Sequence, residues 1–306
     1  MAVWVIVNPR AGGGRGAATL SGLLPLLRGH GLAPVVHVCA DGSEPEAVAR
    51  AAVANGAEMI VAIGGDGHAA AVAQGMLGSG ATLAVVPAGS ANDYARALGM
   101  RSLGLAELAR LLAERPARRV DVIRVESADG VRHVLTVGGT GFDAVVAARA
   151  MRIRRLRGAP RYVAAMLAEL PRFGATDYAM SLDGERRELA AMLIAVAKGS
   201  TYGGGMRVAP AARLQSGWLE LCVVGRMSRL AFLRAFPSVF RGTHVGHPRV
   251  TMLRAREVTI SAANGASAAV PQRVLGDGEL IGSLPVTFRV LPGALSVVAE
   301  PSTPLV

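Results

Sequence analysis

The chain has 306 residues, of which 51% are hydrophobic and only 4% aromatic, and its formal net charge is +11. This length allows two domains with full hydrophobic cores, and the apolar content excludes a disordered protein. No apolar stretch approaches the ~18 residues that span a bilayer. Residues 1–7 are predicted to be a first strand rather than a leader peptide. Cys39 and Cys222 lie in apolar strand-like runs, which predicts buried free thiols, so we expect a cytoplasmic protein.

Arginine carries nearly all of the positive charge, because Lys198 is the only lysine. Six arginines lie close together, at positions 149, 152, 154, 155, 157 and 161. On one helix they would cover most of one side, either as a solvated face or as a surface that docks on an anionic membrane. Nucleic acid is not an expected partner, because aromatic residues for base stacking are scarce. The cluster therefore leaves two alternatives open, a solvated basic face and a peripheral association with an anionic membrane.

Up to about residue 120, short apolar strands alternate with helical segments. The predicted strands are 3–7, 34–39, 59–63 and 83–86, and the predicted helices are 16–30, 44–55, 69–77, 92–98 and 105–114. Ser43 is expected to open the second helix, with Pro45 in its first turn. Repeated strand–helix units predict an α/β fold with a doubly wound, mainly parallel sheet, which binds ligands at the carboxyl ends of its strands.

After residue 120 the pattern changes to short strands separated by turns. The predicted strands are 120–126, 132–137, 178–182, 192–197, 219–224, 257–261, 286–290 and 295–298, with helices at 160–170 and 228–240. This pattern predicts an antiparallel β-sandwich. We therefore expect a nucleotide-binding domain at 1–120, which about the last 15 residues could rejoin, and a lipid or substrate domain at 121–292.

Three glycine-rich turns follow predicted strands of the first half. The turn at 8–16 fits neither the dinucleotide fingerprint nor a P-loop. The turns at 64–67 and 87–96 are more specific, because glycine permits positive φ and a close approach of phosphate, and N–H groups beside a helix N-terminus bind phosphate. Asp66 would bind Mg²⁺ or a ribose hydroxyl, or would cap the helix. Together the two turns predict a nucleotide site.

An acidic turn, Asp277-Gly278-Glu279, stands near the C-terminus. Such turns are common in β proteins and need no catalytic role. As a base for a hydroxyl substrate, a carboxylate would need a pKa raised from about 4 toward neutrality. Alternatively, one carboxylate orients the hydroxyl while Mg²⁺ screens the phosphates, as is usual in phosphoryl transfer.

These strings together resemble the bacterial diacylglycerol kinase-like lipid kinases, which share a superfamily with sphingosine kinases and NAD kinases. The resemblance extends over essentially the whole chain. Its motifs are Asn8-Pro9, Gly64–Gly67, Pro87–Gly99, Gly139–Ala144, Tyr202–Met206 with Pro210-Ala211, and Asp277–Glu279. The string from Pro87 to Gly99 argues against a true NAD kinase.

The resemblance implies an ATP-dependent kinase that uses Mg²⁺ and phosphorylates a hydroxyl of a diacylglycerol-like or long-chain lipid at a membrane surface. The nucleotide-binding candidates that it implies are Asn8, Gly64, Gly65, Asp66, Gly67, His68, Gly89, Ser90, Asn92 and Asp93. Asp277 and Glu279 match the acidic motif of the proton acceptor, and no metal ligand is assigned. The resemblance is compatible with a homodimer.

Several positions depart from the family pattern. His68, Ala70 and Ala71 stand where the family has threonine, asparagine and glutamate, and Ser90 replaces a threonine. In the second half Ser216 replaces an aspartate that is expected to help bind a structural Mg²⁺. Lys198 stands at a position that is often asparagine.

These departures leave two functions open. One is a working kinase with altered substrate or metal use, which the retained acidic residues favour. The other is a nucleotide- and lipid-binding protein with weak or no kinase activity. A kinase for a soluble substrate is a third alternative, and the apolar content of 160–245 argues against it.

Overall fold

A computed structural model describes residues 2–39, 44–153, 155–156, 159–263 and 272–306, without the side chains of residues 159 and 160. The chain divides into two units. Unit 1 comprises Met1–Val122 and Pro292–Val306, and unit 2 comprises Ile123–Leu291. Among the described residues, no helix has both the length and the apolar character needed to cross a bilayer.

In its described residues, unit 1 contains a parallel sheet and five α-helices. Its strands are β1 (Val3–Val7), β2 (Val35–Val38), β3 (Met59–Gly64), β4 (Thr82–Pro87) and the first half of β5 (Ala117–Ser127), and its helices are α1 (Arg15–Gly29), α2 (Pro45–Ala54), α3 (Asp66–Met76), α4 (Asp93–Ala97) and α5 (Leu105–Glu114). The end of the last strand, β15 (Val286–Val298), pairs in parallel with β4, which gives the order β2–β1–β3–β4–β15. Strands β3 and β4 are almost continuous apolar runs, as expected for a parallel sheet covered on both faces.

Unit 2 is built mainly from antiparallel strands, and its buried residues form several hydrophobic clusters. Its elements are β6 (Gly130–Val134), β7 (Val137–Gly141), α6 (Phe142–Arg152), α7 (Ala159–Glu169), β8 (Thr176–Leu182), β9 (Glu185–Ala197), β10 (Leu219–Gly225), α8 (Arg229–Ala235), β11 (Val250–Ala255), β12 (Glu257–Ala262), β13 (Arg273–Gly276), β14 (Glu279–Ser283) and the first part of β15. Strand β9 pairs with β8 along its first half and with β7 and β10 along its second. Inward side chains of these strands, including Tyr178, Ile194 and Phe288, form the core of the predicted sandwich.

The structure corrects the expected start of the helix after β3. Helix α3 begins at Asp66, three residues earlier than predicted, and Gly65 precedes it in an extended conformation with φ −98°. The turn therefore does not use the positive φ that was expected from its glycines. An acidic residue in the first turn of a helix is favourable because of the helix dipole, which explains the early start. The expected cap of α2, Ser43, lies outside the described residues, and Glu44 precedes Pro45 as the N-cap.

The arginine cluster does not lie on one continuous helix. Helix α6 ends at Arg152, with Ile153 in an extended conformation, and α7 begins at Ala159. Arg154 and Arg157 lie outside the described residues. The sequence pattern missed α6 because its buried face consists mostly of alanines, which give little contrast with the opposite face.

Two further strand predictions are corrected. The run 132–137 is divided between β6 and β7, and the runs 286–290 and 295–298 belong to the single strand β15. In β15 the Pro-Gly pair looked like a turn, but Gly293 (φ +56°) donates its N–H to Asp121 Oδ1 at 2.9 Å and the strand continues. The predicted pattern also missed β11, β13 and β14, which are only six, four and five residues long.

Candidate functional site

The three glycine-rich turns of unit 1 lie at the carboxyl ends of β1, β3 and β4. In this sheet β2 lies on one side of β1 and β3 on the other, so the strand order reverses between β1 and β3. Ligands of open α/β sheets bind outside the carboxyl ends of the strands at such a reversal. The turns after β1 and β3 therefore stand where a ligand is expected.

Close backbone contacts bring the turns together and explain why glycine is required in them. A Cβ on Gly89 would lie 2.5 Å from the Cα of Gly65, and a Cβ on Gly12 would lie 2.2 Å from the carbonyl oxygen of Ala88. The N–H of Ala88 donates to the carbonyl of Gly64 at 2.8 Å. Side chains at these glycines would force the three turns apart.

Asn92 shapes the turn after β4. Its Oδ1 accepts the N–H of Gly89 at 2.9 Å, and its Nδ2 donates to the carbonyl of Gly89 at 2.8 Å. Asn92 adopts the left-handed conformation (φ 53°), which asparagine tolerates better than most residues. Asn8 has a similar role after β1, where its Oδ1 accepts the N–H of Arg10 at 3.1 Å. Both side chains hold turns rather than projecting freely toward a ligand.

A cavity of about 410 Å³ opens beside the turn after β4. Its described lining residues are Arg15, Pro87, Gly89, Ser90, Asn92, Arg96, Gly99, Arg101 and Ser102. Three predicted nucleotide-binding residues, Gly89, Ser90 and Asn92, therefore share this cavity. The three arginines were not predicted from the sequence, although Arg96 lies within the motif Pro87–Gly99. Arginine matches the geometry of phosphate oxygens, so this wall favours an anionic ligand.

Asp66 is the first residue of α3, and its Oδ1 accepts the N–H of Tyr94 at 2.9 Å. It therefore caps the N-terminus of α4, whereas the predicted capping role concerned the helix that follows its own turn, whose N-cap is Gly65. Burial raises the pKa of the Asp66 carboxyl, the N–H of Tyr94 opposes that rise, and the charge of Asp93 adds to it.

Asp93 is the first residue of α4 and directly precedes Tyr94, whose N–H donates to Asp66, so two acidic residues lie near each other. Carboxylate oxygens suit a divalent cation bound to phosphates. Within the described part of the chain, no group of three or more His, Cys, Asp or Glu is placed to hold a metal by itself.

His68 lies in the first turn of α3, where its side chain is buried. Its Nε2 lies 3.0 Å from the carbonyl oxygen of Ile6 in β1, and since a carbonyl only accepts, the ring donates through Nε2. Burial lowers the pKa of His68, and the bond to Ile6 opposes this. The imidazole fills the space beside Gly64, where a Cβ would lie 2.6 Å from its ring. His68 thus packs α3 onto β1, and the described wall of the cavity does not include it.

In unit 2 the predicted acidic turn is a two-residue hairpin between β13 and β14. Asp277 (φ 47°) and Gly278 (φ 87°) both have positive φ, as the favoured hairpin turn requires. Asp277 Oδ2 accepts the N–H of Leu135 at 2.7 Å, and its Oδ1 accepts the N–H (2.9 Å) and the hydroxyl (2.6 Å) of Thr136. Glu279 is exposed. The Asp277 carboxylate is therefore fixed in orientation, whereas that of Glu279 faces solvent.

A second acidic group in unit 2 was not predicted as functional. Asp143, in the first turn of α6, accepts a hydrogen bond from the hydroxyl of Tyr202. Burial raises the pKa of Asp143 to about 6, although the bond from Tyr202 opposes the rise. Burial and the charge of Asp143 together raise the pKa of Cys222 to about 12. Both Asp143 and Tyr202 lie in motifs that carry the family resemblance, and this was the only sequence signal for them.

Comparisons with known proteins agree with this architecture. Residues 2–125 match the family model of the diacylglycerol kinase catalytic domain, and residues 136–299 match that of the YegS C-terminal NAD kinase beta sandwich-like domain. A diacylglycerol kinase from Mycobacterium tuberculosis is 32% identical over 298 residues, which cover 96% of this chain and 94% of the relative.

Two solved structures share the fold. A crystal structure of a diacylglycerol kinase from Bacillus anthracis has a TM-score of 0.73 at 21% identity and covers 99% of this chain, with 98% of its own covered. An NAD kinase from Archaeoglobus fulgidus, crystallised with ATP, has a TM-score of 0.56 at 12% identity, with 99% and 96% covered. At these identities the structures support the fold alone, and they confirm the predicted α/β class. Because both family models match and the mycobacterial relative aligns over nearly its whole length, the chain belongs to the diacylglycerol kinase family of lipid kinases.

Proposed function

We propose that the protein transfers the γ-phosphoryl group of ATP to a hydroxyl of a diacylglycerol-like or long-chain lipid at a membrane surface. The observation that carries this proposal is the cavity of unit 1, where the glycine turn after β4 meets a wall that includes Arg15, Arg96 and Arg101 and packs against the turn after β3. A triphosphate is the ligand class that both features suit.

On the nucleotide side, two kinds of donor are available to phosphate oxygens. The first-turn N–H groups of α3 belong to Asp66, Gly67 and His68, and such groups have no acceptor within their own helix. The arginines and the exposed hydroxyl of Ser90 are the side-chain donors. Mg²⁺ bound to ATP would neutralise charge that develops on the phosphates, and Asp66 with Asp93 would be its protein partners.

On the acceptor side, Asp277 is the residue best suited to orient a hydroxyl. Its carboxylate accepts hydrogen bonds from the N–H of Leu135 and from the N–H and hydroxyl of Thr136, which hold it in one orientation. Phosphoryl transfer depends more on positioning than on a strong base. Glu279 is the alternative proton acceptor.

Unit 2 also carries a cavity of about 360 Å³ that suits a lipid near its headgroup. Apolar side chains such as Val145 and Phe173 line part of it, and Arg149, Arg152 and Arg273 line another part. Arg273 begins β13, the strand that leads into the turn at Asp277. In this cavity the glycerol of a lipid would meet the polar wall, and the first part of its acyl chain would meet the apolar wall.

Helices α6 and α7 present a surface that fits an anionic bilayer. We call it the α6–α7 patch, and its members are the exposed apolar residues Met151, Leu156, Tyr162, Val163 and Leu167 with the arginines Arg149, Arg152 and Arg155. Val163 and Leu167 are about half exposed, at 50% and 53%. Apolar and basic groups side by side favour the interface of an anionic membrane over bulk water.

The test of the proposed function is to incubate the pure protein with labelled ATP, Mg²⁺ and vesicles that contain diacylglycerol, ceramide or a long-chain alcohol. We expect labelled lipid from at least one vesicle, and none above background from the Asp277→Asn and Glu279→Gln double variant. If no vesicle yields labelled lipid but a soluble alcohol is phosphorylated, the lipid part of the proposal fails.

A non-catalytic binding protein remains the second candidate, because Ala70 and Ala71 leave the start of α3 without polar side chains beyond His68. It predicts ATP binding by calorimetry without turnover. Ala71→Glu separates the two candidates. A sharp rise in turnover would mean that the alanine has reduced the kinase activity of this protein, whereas a fall would mean that a working kinase is adapted to the alanine.

A further inference from the structure

The resemblance to the lipid kinases implies a structural Mg²⁺ near residue 216, and the residues of this chain do not fit one. The side chain that would face it is the hydroxyl of Ser216 rather than a carboxylate. A lysine, Lys198, is directed to the same place: its Nζ donates to Ser216 Oγ and to the carbonyl of Trp218, each at 2.9 Å. Lys198 is 0% exposed. A divalent cation would meet a positive charge there.

The bonding capacity of Ser216 is also used. Its Oγ accepts from Lys198 and from the N–H of Trp218 at 3.2 Å, and it donates its single proton to the carbonyl of Arg213 or Trp218, each at 3.1 Å. A hydroxyl has two acceptor lone pairs and one proton, so none remains for a metal.

We propose that the Lys198 ammonium is a built-in cation that takes the place of the metal and makes the segment from 199 to 218 independent of divalent ions. A buried ammonium is costly unless acceptors surround it, and the two oxygens supply that compensation. Lys198 is the chain's only lysine, so a lysine at this position is not explained by a composition rich in lysine.

The position of Lys198 also links it to the acidic turn. The N–H of Lys198 and that of Gly199 both donate to the carbonyl of Thr136, at 2.7 and 3.0 Å. Thr136 in turn donates its own N–H and hydroxyl to Asp277. By anchoring the chain at 198, the ammonium acts as a positioning group for the Asp277 carboxylate. The positioning role of Lys198 rests on the role proposed for Asp277, whereas the replacement of the metal by the Lys198 ammonium does not.

The cation is tested on the unmodified protein without any kinase assay. We expect the thermal midpoint to be the same in EDTA and in excess Mg²⁺ when nucleotide is absent. Because Lys198 is the only side-chain amine, an amine-acylating reagent followed by mass spectrometry should give one adduct on the folded protein, at the N-terminus, and two after denaturation. A midpoint that rises with Mg²⁺, or rapid acylation of Lys198 in the folded state, would overturn the proposal.

Two variants make the exchange of cations explicit. Lys198→Asn with Ser216→Asp removes the ammonium and supplies a carboxylate, so Mg²⁺ should raise its midpoint by about 5 °C or more. Ser216→Asp alone keeps the ammonium and is the matched control, with a midpoint that should not respond to Mg²⁺. A Mg²⁺ response of the control equal to that of the double variant would contradict the proposal. If the double variant does not fold in either condition, the acylation result decides.

The positioning role has its own readout. Lys198→Met should lower kcat while leaving the KM for ATP unchanged, and it should add little to the loss already caused by Asp277→Asn. If the double variant loses kcat by the full product of the two single-variant losses, Lys198 does not act through Asp277. If the protein has no kinase activity at all, the proposed function fails and the Mg²⁺ and acylation results still stand.

Discussion

The guanidinium of Arg15 donates a hydrogen bond of 2.6 Å to the carbonyl of Gly89, which joins the start of α1 to the turn after β4. Asn92 donates to the same carbonyl at 2.8 Å. The proposed phosphate site is thus held by a side chain that also lines the cavity, so Arg15 combines a structural and an electrostatic role.

Replacing Arg15 should therefore weaken nucleotide binding more than it slows the chemical step. We expect Arg15→Ala to raise the Kd for ATP about 10-fold or more, because a charge-assisted bond to phosphate and the brace on Gly89 are both lost. Calorimetry with a non-hydrolysable ATP analogue measures this. Arg28→Ala, at an exposed position of the same helix, is the control and should leave the Kd unchanged. If both variants lose affinity for ATP equally, the effect comes from the overall charge of the protein and not from the position of Arg15.

Gly89 provides a test of the close contact between turns. Gly89→Ala would place a Cβ 2.5 Å from the Cα of Gly65, a backbone atom that cannot move aside cheaply. We expect a loss of about 2–4 kcal/mol in the free energy of unfolding, together with loss of ATP binding. Denaturant unfolding measures the first.

Gly29→Ala is the matched control in the same unit, because a Cβ at Gly29 would meet nothing within 4 Å. This variant should be neutral or slightly stabilising. If Gly89→Ala behaves like it, the turns do not depend on their close packing.

The sequence predicted the fold class and the location of the glycine turns, but not how the turns work. Strand and helix periodicity is strong in β3, β4 and α5, so their existence followed from local pattern. The requirement for glycine at position 89 did not, because it comes from the backbone of Gly65, which is distant in the chain. Likewise nothing local indicates that His68 packs on β1, that Arg15 reaches Gly89, or that Lys198 meets Ser216.

Asp277 and Asp183 occupy equivalent turns, and the comparison separates structure from catalysis. Asp183 (φ 47°) also precedes a glycine in a hairpin, and its carboxylate accepts the N–H groups of Arg256 and Glu257 at 2.9 and 2.8 Å. Hydrogen bonds from neighbouring N–H groups are therefore a general property of this turn in the protein. A catalytic role of Asp277 must appear as an effect beyond the loss of such bonds.

Asp277→Asn and Asp183→Asn should lower the thermal midpoint by similar amounts, because each amide presents a donor to N–H groups. Only Asp277→Asn should also lower kcat, by about 100-fold or more at a temperature where both variants are folded. Glu279→Gln should leave the midpoint unchanged. If both aspartate variants lose activity in proportion to their stability, the role of Asp277 is structural.

The α6–α7 patch should determine binding to vesicles. Arg152→Glu with Arg155→Glu should reduce partitioning onto vesicles of anionic lipid by about 30-fold or more, because each basic residue near such a surface contributes about 1 kcal/mol. Leu167→Glu should reduce binding to neutral and anionic vesicles alike. Arg187→Glu, which changes an exposed arginine of β9, is the control. Co-sedimentation measures all of them, and loss of self-association instead of vesicle binding would indicate that a second copy covers the patch.

Asp143 should make stability depend on pH in an unusual direction. Burial raises its pKa from the ordinary value of 3.8 to about 6 in the folded protein, so between about pH 4 and pH 6 the folded state holds a proton that the unfolded state releases. The contribution of Asp143 to the free energy of unfolding therefore falls as pH rises through this window, by about 3 kcal/mol in total, and stays low above it.

Asp143→Asn removes the titration, and its amide oxygen can still accept a hydrogen bond from Tyr202. We expect the midpoint of this variant, relative to that of the unmodified protein, to be clearly higher at pH 7.5 than at pH 4.5. Asp177→Asn, at an aspartate of unit 2 whose side chain is 64% exposed, should show no such change. A midpoint difference for Asp143→Asn that is the same at both pH values would mean that the carboxyl titrates alike in the folded and unfolded chain.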